Sequence, residues 1–118
     1  MELTEHLARF LCDQGYSATS AIMPPLPDDA VTVYATGVRP KGDDEGSRFQ
    51  VVVRGLPDKD TALRAAIEIA DLLDDFSGIT SIDSPYFARI MLESGVASLG
   101  VDDNGRTMYS ANFRAWTC

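Results

Sequence analysis

The dipeptide Asn104-Gly105 stands between two strand-like runs, ASLGV (97–101) and the alternating TMYSANFRAW (107–116). Both residues tolerate the positive φ that a type I′ turn requires, so the pair predicts a tight antiparallel hairpin. The competing use of VDDNG is a calcium loop of the EF-hand kind, which needs oxygen ligands at positions 1, 3 and 5, then glycine, and a glutamate at position 12. With Gly105 in the glycine slot, Asp102 and Asn104 take ligand positions, but the first position falls on Gly100 and the last on Ala111. Neither has a side-chain oxygen. The segment therefore reverses the chain, and the rest of the sequence must supply a sheet for it to join and a layer to cover that sheet.

Those parts are legible along the chain. Leu3, Leu7, Phe10 and Leu11 recur at helical spacing, with His6 and Arg9 left to the polar side and Gly15 placed to end the helix. MPPLPDD (23–29) is neither helix nor central strand, because its three prolines remove donors and hold their predecessors extended; it is a stiff connector. AVTVYA (30–35) predicts a short strand. GVRPKGDDEGS (37–47) predicts a polar loop with no apolar anchor, mobile in an isolated subunit. RFQVVVRG (48–55) alternates, with Phe49, Val51 and Val53 on one face and Gln50 and Arg54 on the other. A second helix is capped by Asp58 or Asp60, buries Leu63, Ala66, Ile67, Ala70, Leu73 and Phe76, and stops at Gly78. ITSID (79–83), YFARIMLES (86–94), ASLGV and the final run are strand-like, the last with Tyr109, Ala111, Phe113 and Ala115 on one side and Ser110, Asn112 and Arg114 on the other. The order helix, strands, helix, strands predicts an α+β fold: a mostly antiparallel central sheet with two helices packed on one face. A chain of 118 residues is one domain, 1–118, long enough to bury roughly two-thirds of its unfolded surface.

Charge and chemistry then exclude most function classes. Ten basic against eighteen acidic residues give a net charge of −8, which opposes ordinary nucleic-acid binding, since phosphate neutralisation supplies most of that affinity. No apolar run approaches the roughly 18 residues of a membrane span, and the acids Glu2 and Glu5 make the first segment an amphipathic helix, not a signal. Synthesis and residence in a cytoplasm are expected. Cys12 and Cys118 are too few for a disulfide framework; Cys12 is expected to pack in its helix and Cys118 to be a terminal thiol. The single histidine, His6, has no nucleophile beside it, and Cys12 has no basic neighbour in sequence to activate it. GxSxG, HExxH, GxGxxG and P-loop patterns are all missing, so no catalytic residue, cofactor or metal is assigned. The acids cluster at 28–29, 43–45, 74–75 and 102–103. They are solvated turns, or they are gathered by an oligomer onto one surface as a negative field.

At whole-chain scale the sequence resembles a known family. A first helix ending in GY (15–16), then PPLPDDAVTVYATGVRP (24–40), FQVVVRG (49–55), the helix DTALRAAIEIADLL (60–73) and a terminal GRTMYSANFRAW (105–116) are similar, in that order, to the small minor capsid or tail terminator proteins of long-tailed bacteriophages. The resemblance implies a non-enzymatic virion protein made in the bacterial host cytoplasm. It would cap the tail tube as a ring, expected to be a homohexamer, end tube growth and form the head-tail joining surface. The implied partners are other copies of itself, the major tail tube protein and a head-completion or connector protein, with genomic DNA passing through the ring without specific binding and no membrane involved.

A ring gives the acids a use, since an acidic wall lets a polyanion slide. Asp43, Asp44 and Glu45, or Asp102 and Asp103, are the candidates to line or rim the channel. Arg39 and Lys41 in the mixed-charge loop, Arg54 at its strand end and Arg106 after the turn are candidates for subunit interfaces, the last two equally well plain exposed strand arginines. The 37–47 loop is expected to order when the ring stacks on the tube. The same element order also fits a head-completion protein, or a small ligand-binding module with its pocket between helix and sheet.

Overall fold

The computed structural model describes residues 2–56 and 60–118. Its elements run α1 (Leu3–Asp13), β1 (Ala18–Ser20), β2 (Ala30–Gly37), β3 (Ser47–Gly55), α2 (Thr61–Leu73), β4 (Phe87–Val101) and β5 (Thr107–Thr117). The five strands form one sheet in the order β1-β2-β3-β5-β4, parallel between β1 and β2 and antiparallel elsewhere. This is the expected α+β architecture. Register explains the core: Val31 pairs with Val53, Val33 with Val51, and Phe49 with Phe113, so the apolar sides of three strands share one face. Phe49 and Phe113 stack at 5.0 Å between ring centres, and Leu7 and Leu11 of α1 and Ile69 and Leu73 of α2 close over that face.

Local chemistry sets each helix end. At the end of α1 the Gly15 N–H donates to Cys12 O and the Tyr16 N–H to Leu11 O, with Gly15 at φ 100°, which is the double closure of a Schellman motif. The buried stripe of α2 is Ala62, Ala66, Ile69, Ala70 and Leu73. Its small side chains let the helix approach the sheet closely. Ile67, expected in the core, lies on the flank at 47% exposure. Asp60 stands at the N-cap but in the left-handed region, φ 51°, and makes no side-chain cap bond; Asp58, the other expected cap, is outside the described residues. The stop also comes earlier than Gly78: Asp75 takes φ 64°, and Gly78 instead bridges to Phe87.

Other expectations are corrected. ITSID is a turn, because the Ser84 hydroxyl accepts from the Thr80 and Ser81 N–H groups and competes with strand pairing. The two runs 86–94 and 97–101 form one strand, β4, whose register against β5 shifts repeatedly. β1 (Ala18–Ser20) carries no signal in the sequence, since three residues of mixed polarity have no period. His6, expected on the polar side of α1, is buried, whereas Cys12 is exposed and its Sγ donates to Ala18 O. Finally, the hairpin turn is not type I′. Gly105 N donates to Asp102 O, and Asp102 N to Arg106 O, with positive φ at Gly105 alone; Asn104 stays out of the left-handed region. That is a three-residue loop closed by a left-handed glycine.

Candidate functional site

Most of the singled-out side chains fall at the two ends of β5. At its start, β3 and β5 place Arg54 and Arg106 against the carbonyls of the proline connector. Arg54 donates from Nε to Asp28 O at 3.1 Å and from Nη2 to Pro27 O at 2.6 Å. Arg106 donates from Nη1 to Pro25 O at 2.7 Å and to Asp28 Oδ1 at 3.2 Å, and from Nε to Asp102 Oδ2 at 2.8 Å. Both arginines are buried. This corrects their expected exposure: an extended, donor-poor connector presents bare carbonyls, and a guanidinium is the group that can collect several of them. Burial, and then the neighbouring Arg106 charge, pushes the Arg54 guanidinium below its ordinary value.

Asp102 is part of this clamp. Its Oδ1 accepts from the N–H groups of Asn104 and Arg106, both at 2.9 Å, and the Arg106 N–H is the largest reason its carboxyl stays below the ordinary range. Asp103, one residue on, is exposed. Of the two acids expected together at this tip, one is engaged and the other faces solvent.

At the far end of β5 stands the 37–47 loop. Arg39 Nη2 and Glu45 Oε2 pair at 2.6 Å, and Lys41, Asp44 and Glu45 are exposed. The loop has an apolar anchor after all: Trp116 Nε1 donates to Asp44 O at 2.8 Å, and a Cβ built on Gly46 would stand 3.0 Å from that nitrogen. Gly42 N also donates to Thr117 O. The single tryptophan of the chain, at the end of a strand and far from the loop in sequence, was the available signal. Asp43, Asp44 and Glu45 are thus separated from Asp102 and Asp103 by the length of β5, and the fold does not bring the two sets together within one chain.

A cavity of about 350 Å³ opens between α2 and the start of β2, with Tyr16, Val31, Val53, Ala65 and Glu68 among its walls. The Tyr16 hydroxyl donates to Glu68 Oε2 at 2.8 Å, and burial together with that carboxylate pushes the phenol up to about 12. Among the described residues no group of three or more His, Cys, Asp or Glu side chains could hold a metal ion, and no helix is long and apolar enough to cross a membrane.

A family model described as bacteriophage tail terminator protein matches residues 10–116. No curated protein matches the chain.

Proposed function

We propose, from the premise that this chain belongs to the bacteriophage tail terminator family, that it closes the finished tail tube as a ring of identical subunits. The family places it among structural proteins of the virion tail. The ring, expected to be hexameric, ends tube growth, presents the surface that meets the head-completion or connector protein, and lets genomic DNA through. The match from residue 10 to residue 116 carries this proposal, because it runs from the last turn of α1 through α2 and the whole sheet to the end of β5. The sequence chemistry agrees, since a chain of net charge −8 repels a DNA polyanion instead of holding it.

Within the ring, the exposed acids Asp44, Glu45 and Asp103, with the half-buried Asp43, are the proposed rim of the channel. Asp102 contributes less field there, because Arg106 neutralises it. Arg39 and Lys41, on the same exposed loop, are the proposed cationic contacts to a neighbouring subunit.

The test is negative-stain microscopy of the purified protein mixed with its cognate tail-tube protein. Six-fold rings at tube ends, with growth arrested, are expected. A monomer that neither caps nor shortens tubes refutes the proposal. A ring with residues 43–45 and 103 all on its outer circumference refutes the channel assignment alone.

A further inference from the structure

The outer edge of β4 is closed over one half and open over the other. From Phe87 to Leu92 the segment after α2 pairs with it: Asp75 N donates to Ile90 O at 2.7 Å, Ile90 N to Phe76 O at 2.9 Å, and Leu92 N to Asp74 Oδ1 at 2.9 Å. Gly78 and Phe87 exchange two further bonds. From Ser94 to Val101 no other element among the described residues bonds to that edge, and every residue except Val96 is exposed. Soluble proteins guard open edges with lysine, proline or charge. This stretch has none of them, and it displays Leu99 at 50% and Val101 at 65% exposure.

The opposite edge of the sheet has a matching character. Residues 14–27 form the longest run without Asp, Glu, Lys or Arg in the chain, and β1 lies within it. Directly after β1, Ile22 is 75% exposed. It is held there: Ile22 N donates to Ser20 O, the Thr19 hydroxyl donates to Ile22 O, and Ala21 takes φ 73°, a conformation costly for a residue with a Cβ. A strained, bonded turn that shows an isoleucine to water points to use of that isoleucine elsewhere.

We infer that the Ser94–Val101 edge of β4 docks on the Ala18–Ile22 edge of a second copy of this chain, with Ile22 packing between Leu99 and Val101. The inference rests on the ring reading and supplies its contact. Two different patches on opposite edges of one sheet make a head-to-tail interface, which repeats at every junction and is the kind of contact from which a ring is built when the rotation between copies closes. Charge selects the same patches, because copies carrying −8 each approach most easily where neither side is charged. Backbone pairing is short, since β1 has three residues and Ala18 O already accepts from Cys12. Register shifts at Leu92/Ser94, Ser94/Ala97 and Ser98/Gly100 also prevent a flat ladder, so the contact is specific and not fibrous.

Leu99→Asp and Ile22→Lys are tested singly and as an equal mixture, by sedimentation of the free protein up to millimolar concentration and by capping of cognate tubes, with circular dichroism confirming the fold. Val101→Asp repeats the test at the same edge. Each single variant is expected to weaken self-association at least about tenfold, which is about 1.4 kcal/mol. The mixture restores it, because L99D then meets I22K at alternate junctions and native residues meet at the others. An I22K variant that associates normally, a mixture that stays dissociated, or a wild-type protein that is monomeric both free and with tubes overturns the inference. If the single variants still form capped tubes, the docking edge is wrong and the terminator role stands. If association follows the predicted pattern but tubes are never capped, the interface stands and the tail role falls.

Discussion

Replacing Arg106 with methionine isolates the contribution of the connector clamp. The substitution keeps an apolar stem in the buried site and removes only the guanidinium. Its bond to Pro25 O joins a charged donor to a carbonyl of the connector, a class that contributes about 1.5–3 kcal/mol. The pair with Asp28, whose side chain is 46% exposed, adds no more than about 1 kcal/mol after solvent screening. Asp102 keeps two backbone N–H donors and is not stranded. The expected loss is about 3 kcal/mol, or about 12 °C in Tm for a domain of this size. Urea unfolding should show a lower midpoint with an unchanged slope. Arg48→Met is the control, because Arg48 meets Glu93 from a side chain that is 54% exposed, and less than about 1 kcal/mol is expected there. An Arg106→Met shift no larger than that of Arg48→Met would refute the clamp.

Gly46→Ala should lower Tm, because the added Cβ stands 2.8 Å from Ala115 O at a φ of 74°; an unchanged melting curve and an unchanged Trp116 emission spectrum would show the loop anchor to be slack. Tyr16 should titrate near 12 in an ultraviolet phenolate titration. Since that folded value is raised, its stabilisation is complete below the ordinary tyrosine value of about 10 and is lost as pH rises toward the folded value; a Tyr16→Phe variant whose alkaline stability profile matches wild type would contradict this. Asp102 and Asp83 run the other way. Both are held below the ordinary carboxylate range, Asp102 chiefly by the Arg106 N–H and Asp83 chiefly by the Ser81 hydroxyl, so their stabilisation is present above about pH 4 and is lost as pH falls through their folded values. Asp102→Asn should therefore flatten the acid limb of the stability curve, measured by thermal melting between neutral and acid pH.

Periodicity and turn chemistry reach as far as local forces do. The spacing of Leu3, Leu7 and Leu11, the alternation of Phe49, Val51 and Val53, and the glycine after Asn104 each act within a few residues. From them the two helices, the antiparallel pairs and the buried face follow without any knowledge of tertiary contacts. Tertiary structure decided what depends on distant partners. Arg54 looked like a solvent-facing strand residue because its acceptors, Pro27 O and Asp28 O, are backbone groups 26 and 27 residues away and have no side-chain signature. Trp116 anchors a loop 72 residues before it in sequence, and His6 is buried although helical spacing sets it on the polar side of its own helix. The same limit governs the site. Acid clusters are visible in sequence, but only the fold engages Asp102 with Arg106, leaves Asp103 bare, and sets both a β5 length away from residues 43–45. The open edge of β4 is likewise a tertiary fact, because whether a strand has a neighbour depends on where the segment after α2 ends its pairing.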